Sequence, residues 1–311
     1  MQRALLTWHR AQGMQAPWRE SGDAYEVLVA AVMAQQTQMS RVMPSYARFI
    51  AAFPNVESLA AASTGEVIRV WAGMGYNQRA VRLHRAARTI VGNGWPRDAA
   101  ALSQIDGIGP FTAAIIASFA FAQPAACVDT NVRRVLGRLC GDEGIDGKRL
   151  QALADLSLAV RHPARWNQAV MDYGARVCTT RPKCGECVVA RWCPSRREEP
   201  ANGPSTKLRS VAVSRQAAPA PAPRMVADER IPYRAKQPQP KYEGSARWWR
   251  GRIIDALRAL PAGESIRLAE LRRLLANGTA ALATDDMRAL VAALERHGLV
   301  AVTRGRVALP V

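Results

Sequence analysis

Four cysteines, Cys178, Cys184, Cys187 and Cys193, fall within sixteen residues as C-x5-C-x2-C-x5-C, with Arg181, Lys183 and Arg191 between them. Four thiolates at this spacing can wrap one metal centre, either a tetrahedral zinc ion or a 4Fe–4S cubane. The interleaved basic residues suggest a small loop pressed against phosphates. Cys127 and Cys140 lie on apolar stretches and read as inert core thiols. A second group of residues is Leu102-Ser103-Gln104-Ile105-Asp106-Gly107-Ile108-Gly109-Pro110, ahead of the apolar run 111–122. Two helices joined by this Gly-x-Gly turn would expose bare backbone N–H groups. Gly107 and Gly109 leave room for a phosphate, and Pro110 suits a first helical turn. Twenty residues past Gly109 lies Asp129, within Val128-Asp129-Thr130-Asn131. It reads either as the N-cap of the next helix or as a carboxylate that stabilises developing positive charge.

Hairpin, apolar helix, Asp and Cys cluster, in that order, resemble the helix–hairpin–helix DNA glycosylases that carry an iron–sulfur cluster. Within them the chain is most similar to the MutY-type adenine glycosylases. The resemblance covers roughly residues 14–194. It includes Pro17-Trp18-Arg19, Val32-Met33-Ala34-Gln35-Gln36-Thr37-Gln38, Trp71-Ala72-Gly73-Met74-Gly75-Tyr76, Leu83-His84-Arg85-Ala86-Ala87 and Asn167-Gln168-Ala169-Val170-Met171-Asp172-Tyr173-Gly174-Ala175.

By this resemblance the cofactor is a 4Fe–4S cluster rather than zinc, held by Cys178, Cys184, Cys187 and Cys193. The family's first spacing is C-x6-C, so the loop Thr179 to Lys183 is one residue tighter here. Gln36 and Tyr76 match residues that wedge into the duplex as the target base flips out. Trp18, Arg19, Gln35, Thr37, Gly107, Gly109, Asn131 and Asp172 fall at DNA- or base-binding positions, Asp172 close to the target base. Asp129 matches the essential carboxylate, which stabilises the oxocarbenium-like sugar or orients a water. The implied partner is double-stranded DNA with a mispaired or damaged base.

One carboxylate of the pattern is missing. MutY-type enzymes carry a Glu four positions before the first Gln of Gln-Gln-Thr, where it protonates the leaving adenine; here that position is Ala31. Glu26 lies five residues earlier, at a different angle on a helix, and is a poor substitute. Phe111 stands where lyase-active relatives hold a Schiff-base Lys, so no lysine-dependent strand cleavage is expected. Three explanations compete for Ala31. The substrate needs no acid, as with a cationic alkylated purine; another acid serves, Asp172 or ordered water; or the protein binds lesions with little turnover, whether Ala31 is natural or an introduced Glu→Ala change. The expected activity is monofunctional hydrolysis of an N-glycosidic bond through Asp129, with altered substrate preference. Its rivals are a lesion- or structure-specific DNA-binding protein with little or no glycosylase activity and, more remotely, a zinc-bound transcriptional regulator.

The elements that must position these residues read as mainly α. Apolar residues recur at helical spacing through 24–36, 43–53, 66–72, 79–91, 111–122, 131–139 and 149–160, and two-residue alternation is nearly absent. The expected architecture is a two-lobed helical glycosylase core with an iron–sulfur loop over 1–194, a basic linker over 195–241, and a winged-helix-like α+β module over 242–311. In that module 248–260, 268–276 and 285–297 read as helices. Leu299–Val302 and Arg306–Leu309 read as a hairpin around Thr303-Arg304-Gly305. Arg304 and Arg306 at its tip are candidate phosphate contacts; Arg247, Arg250 and Arg252, around Trp248 and Trp249, read either as a DNA contact or as a solvated face.

The 311 residues carry 43 Lys+Arg against 25 Asp+Glu, a net charge of +18. The three segments contribute +8, +6 and +4. The linker holds 8 of the 19 prolines and reads as an extended tether. This charge calls for a polyanionic partner. The 49% hydrophobic content argues against a wholly disordered chain, and 6 Cys is too few for a disulfide scaffold. Polar residues interrupt the most apolar stretch, 111–128, which argues against a membrane span. No secretory signal is read at the start, so a monomer with reduced thiols in the cytoplasm, associated with the nucleoid, is expected.

Overall fold

A computed structural model of the chain describes residues 1–196, 242–276 and 282–311. The expected linker therefore lies almost entirely outside the described residues. The first lobe gathers α2 (Pro17–Glu20), α3 (Ala24–Ala34), α4 (Met39–Ala52), α5 (Val56–Ala61), α6 (Thr64–Val70), α7 (Gln78–Asn93), α8 (Ala99–Leu102) and α9 (Pro110–Phe119). Their shared core includes Leu28, Phe49, Leu59, Trp71, Leu83 and Ile116. The second lobe joins α1 (Gln2–Gln12) to α10 (Thr130–Cys140), α11 (Gly147–Ser157) and α12 (Pro163–Arg176). Here α1 buries Leu5 and Trp8 against α12, and the Trp8 ring meets Tyr173 edge-on at 4.8 Å. Both ends of the lobed region thus lie in one core, which the apolar periodicity of 24–160 did not reveal.

Local sequence explains most helix starts. The side chains of Asp23, Asn55, Ser63, Asp98, Asp129 and Asp146 each accept a backbone N–H from their own helix's first turn. Pro110 and Pro163 occupy first helical positions, where a missing N–H costs nothing. Past α12 the chain turns through two short 3₁₀ segments, Cys184–Glu186 and Ala190–Trp192.

The C-terminal module contains α13 (Ala246–Arg258), β1 (Ile266–Arg267), α14 (Leu268–Ala276), α15 (Thr284–Arg296), β2 (Ala301–Thr303) and β3 (Arg306–Ala308). All three expected helices form. The expected hairpin is β2–β3, and β1 pairs antiparallel with β3 to give the sheet order β1-β3-β2. A two-residue strand leaves no alternation to read.

The module also docks on the first lobe. Ile68 of α6 and Val81 of α7 are buried in the same cluster as Trp249, Ile253 and Leu299. Arg69 donates to the carbonyls of Arg258 and Leu260, at 2.5 and 2.7 Å. Arg258 donates back to the Ile68 carbonyl at 3.0 Å and to Asn77 Oδ1 at 2.8 Å. The Gly65 N–H donates to the Pro310 carbonyl at 2.7 Å. Removing 242–311 should therefore expose Ile68 and Val81 and lower core stability by about 3 kcal/mol, at roughly 1.5 kcal/mol per large aliphatic side chain. Denaturant unfolding of the truncated and full chains checks this, and equal midpoints would contradict it.

Candidate active site

A cavity of about 1420 Å³ opens between the two lobes and is closed on one side by the module. Ala31, Gln35, Gln36, Thr37, Tyr76, Phe111, Asp129, Asn131 and Asp172 all line it. Its wall thus brings together nearly every residue that the sequence offered for base chemistry. Among the described residues, the carboxylates on the wall are Asp129 and Asp172; Glu26 is not part of it.

Asp129 is both a helix cap and a wall residue, so the two sequence readings describe one side chain. Its Oδ1 accepts the Val132 N–H at 2.7 Å, and its Oδ2 accepts Asn131 Nδ2–H at 2.9 Å. These bonds fix the carboxylate at the start of α10. Asn131 is itself held by Arg134, which donates to Asn131 Oδ1 at 2.8 Å, to the Gly174 carbonyl at 2.6 Å and to the Cys178 carbonyl at 2.7 Å. A continuous hydrogen-bonded path therefore links Asp129 to the first cysteine of the cluster.

Asp172 has a different surrounding. Arg19 donates to both carboxylate oxygens, at 2.7 and 2.9 Å, the Met14 N–H donates at 2.8 Å, and His9 Nε2 lies 3.4 Å away. Burial alone would push this carboxyl up. The nearby His9 ring, the Arg19 hydrogen bonds and charge and the Met14 N–H outweigh burial and hold it well below the usual carboxylate range. An Asp that stays ionised has no proton to donate at neutral pH, which argues against Asp172 as the substitute acid. The same pairing occupies Arg19, which is only partly exposed and is not free for a phosphate. Trp18 is buried, edge-on to Tyr46 at 4.7 Å, and offers the cavity only part of its ring.

Ala31 is buried on α3 at 7% exposure. The place of the expected acid is therefore an apolar patch of wall beside Val27, Ala30 and Trp18. Phe111, in the first turn of α9, adds another apolar surface. Gln36 and Tyr76 stand out by backbone and exposure. Both are exposed non-glycine residues with positive φ, +52° and +44°, a conformation that costs of order 1 kcal/mol and clusters at functional sites. Tyr76 is 45% exposed, so its ring is open to a partner rather than packed in the core.

Sequence reasoning missed Arg79. Its buried guanidinium donates to the carbonyls of Val32, Met33, Gln35 and Met74 and to Thr37 Oγ1, tying the Gln-Gln-Thr segment to the Gly75-Tyr76 turn. Burial pushes it down to about 10, so it is charged at neutral pH. Arg79→Met strands these acceptors and should cost about 3 kcal/mol or more, read from denaturant midpoints. An unchanged midpoint would contradict the role. Arginines are usually exposed, which is why none of this was visible in a residue list.

The hairpin glycines differ from each other. Gly107 has φ +94°, and a Cβ there would sit 2.7 Å from the Arg82 carbonyl, so its hydrogen side chain serves packing against α7. Gly109 faces open space at the uncapped start of α9, as a phosphate would require. Cys178, Cys184, Cys187 and Cys193 line one small cavity with Arg138 and Lys183. The Cys193 thiol is raised first by burial and further by the Cys178, Cys187 and Cys184 sulfurs around it. Cys127 is buried as expected, but Cys140 is exposed at the end of α10 and is not a core thiol. In the module Trp249 is the core tryptophan, while Arg252 stacks over Trp248 at 4.7 Å. Arg306 is turned onto Ser265 Oγ at 2.8 Å, which leaves Arg304 as the open hairpin-tip cation.

The family model of the HhH-GPD superfamily base excision DNA repair proteins matches residues 29–157, from α3 through α11. With this match, the lobes and the relatives below, the chain belongs to that superfamily. Within it the chain is 32% identical to the adenine DNA glycosylase of Mycobacterium tuberculosis over 268 residues, covering 82% of this chain and 77% of that protein. The human adenine DNA glycosylase is 38% identical over 212 residues, covering 62% of this chain but 39% of the human protein. The chain thus spans about two fifths of the human and rat relatives. Among solved structures, a thermostable thymine-DNA glycosylase is 27% identical and superposes with a TM-score of 0.60, covering 63% of this chain and 94% of that one. An endonuclease III–DNA complex, at 20% identity and TM-score 0.55, shares the fold. No helix among the described residues is long and apolar enough to cross a membrane.

Proposed function

We propose that this protein is a monofunctional base-excision DNA glycosylase that hydrolyses the N-glycosidic bond of a flipped base through Asp129. The observation that carries the reading is the Asp129 carboxylate, fixed by two hydrogen bonds on the wall of a cavity large enough for an extruded nucleotide. The Gly109 end of α9 offers bare N–H groups to a backbone phosphate. Tyr76 and Gln36, exposed at the cavity rim, fill the stack that the extruded base leaves. As the glycosidic bond lengthens, positive charge grows at the sugar, and Asp129 stabilises it and orients the attacking water. No lysine nucleophile stands at Phe111, so the product is an abasic site in an intact strand.

The leaving base receives no proton from position 31, and Asp172 is held ionised by Arg19. The substrate is therefore a mispaired or damaged base that departs without an enzyme acid. An N-alkylated, cationic purine, which leaves as a neutral base, fits this chemistry. A single-turnover assay on duplexes carrying A:8-oxoG, G:U, G:T, hypoxanthine and 7-methylguanine, developed with alkali, tests the proposal. Release of none of these bases by the wild type would overturn it. The buried apolar wall at Ala31 favours one rival, a lesion-binding protein with little turnover, and the same assay read beside duplex binding separates the two.

Cys178, Cys184, Cys187 and Cys193 would hold a 4Fe–4S cluster, which when bound supplies a rigid cross-link that folds the loop 178–193 beside α10. Among the described residues no side chains are gathered closely enough to hold a metal ion as they stand; the four soft thiols lining one cavity, with Arg138 3.5 Å from Cys178 Sγ to offset thiolate charge, supply the donor chemistry of that group. Chemical analysis should find four irons and four sulfides per chain, and one zinc with no iron would contradict the assignment.

A further inference from the structure

The turn that carries Tyr76 is gripped from two sides. From the core, Arg79 donates to the carbonyls of Met74 and Gly75. From the C-terminal module, Arg258 donates to the side chain of Asn77, the next residue in sequence. Between these grips Tyr76 is left exposed in a left-handed backbone conformation. The guanidinium of Arg247, in the first turn of α13, lies 4.3 Å from the centre of its ring. The residues of the module that face the cavity lie mainly on α13 and just past α15, among them Arg247, Arg250, Ile254 and Leu299.

We infer that the C-terminal module is a fixed wall of the base-extrusion cavity, and that Arg247 is a positioning residue that holds the Tyr76 ring at the rim by stacking on it. The inference rests on the proposed role of Tyr76 in base extrusion. Arg79 lies 5.5 Å from the centre of the same ring, so Arg247, at 4.3 Å, adds a second and closer restraint to an exposed aromatic whose remaining rotamers would have to be restricted when the ring enters the duplex. A guanidinium on its face restricts them beforehand, so less conformational freedom is lost on extrusion. Arginine suits this task better than lysine, because its planar group stacks on a ring while an ammonium is a hydrated point charge. The module docks through Arg69, Arg258 and the Ile68–Val81 patch, so removing the Arg247 side chain leaves the docking contacts in place.

The test uses the full chain and a duplex carrying 2-aminopurine opposite 8-oxoguanine, whose fluorescence rises when the probe base leaves the stack. Arg247→Ala should lower the extruded fraction about fivefold at saturating protein, the size of one partly exposed cation–π contact. Arg247→Lys should fall with it, since the charge remains but the planar stack is lost. In the Tyr76→Ala background, Arg247→Ala should change nothing further, because its action runs through that ring. Thermal midpoints of the Arg247 variants should match the wild type. Additive losses from the two sites, or wild-type extrusion by Arg247→Lys, would overturn the inference. A Tyr76→Ala protein that extrudes the probe like the wild type would overturn the extrusion role itself, and the inference with it.

Discussion

Asp129→Asn should lower single-turnover base release by about a thousandfold, the scale seen when one preorganised electrostatic stabiliser is removed from a closed site. The substitution isolates charge. Asn is as good an N-cap as Asp, so its side-chain oxygen can still accept the Val132 N–H and the start of α10 is kept. What is lost is the negative charge beside the developing oxocarbenium-like sugar, together with one acceptor for a water. Duplex affinity and the thermal midpoint should change little, since Asp129 makes no ion pair among the described residues. A protein that loses stability instead of turnover would show that capping is its only task.

The opposite change is expected at Ala31. Ala31→Glu should raise adenine release from an A:8-oxoG duplex by about a hundredfold to ten-thousandfold, the usual contribution of a general acid. The position lies on α3 in a buried apolar stretch of the cavity wall. A carboxyl placed there is desolvated, which favours its neutral form and readies it to donate. The gained activity should decline as pH rises through the pKa of the new group, because only the protonated form acts. Filling a packed wall should cost about 1–3 kcal/mol of stability. An Ala31→Glu variant with unchanged adenine release and intact fold would mean that this wall does not meet the departing base.

The sequence announced the lobes where chemistry and local pattern coincide. The apolar runs that become α3, α7, α9 and α10 are self-sufficient signals, because α7 and α10 bury a face set by helical spacing while α3 and α9 are apolar and buried nearly all round. The Gly-x-Gly turn, Asp129 and the four cysteines stand close enough along the chain for their order to be read directly. What it hid depends on distance. Leu5 and Trp8 have helical spacing, but the core they enter is formed largely by α12, more than 150 residues away, so sequence alone did not show what α1 packs on. Asp172 looked like an available acid because Arg19 and His9 pair with it across the same gap in sequence. The module looked like a tethered arm, because Arg69 and Arg258, which fasten it to α6, look like ordinary surface cations until both are seen to be spanning an interface. The net charge of +18 predicted the kind of partner without indicating that α13 faces the cavity.

The proposed chemistry rests on one carboxylate that acts and one that is absent, and a single comparison probes both. Base release is measured under single-turnover conditions from A:8-oxoG and 7-methylguanine duplexes by the wild type, Asp129→Asn, Ala31→Glu and the double variant. The expected result is release of 7-methylguanine by the wild type, gain of adenine release in Ala31→Glu, and loss of both activities wherever Asp129 is replaced. Release that survives in Asp129→Asn at the wild-type rate would show that Asp129 has no part in breaking the glycosidic bond.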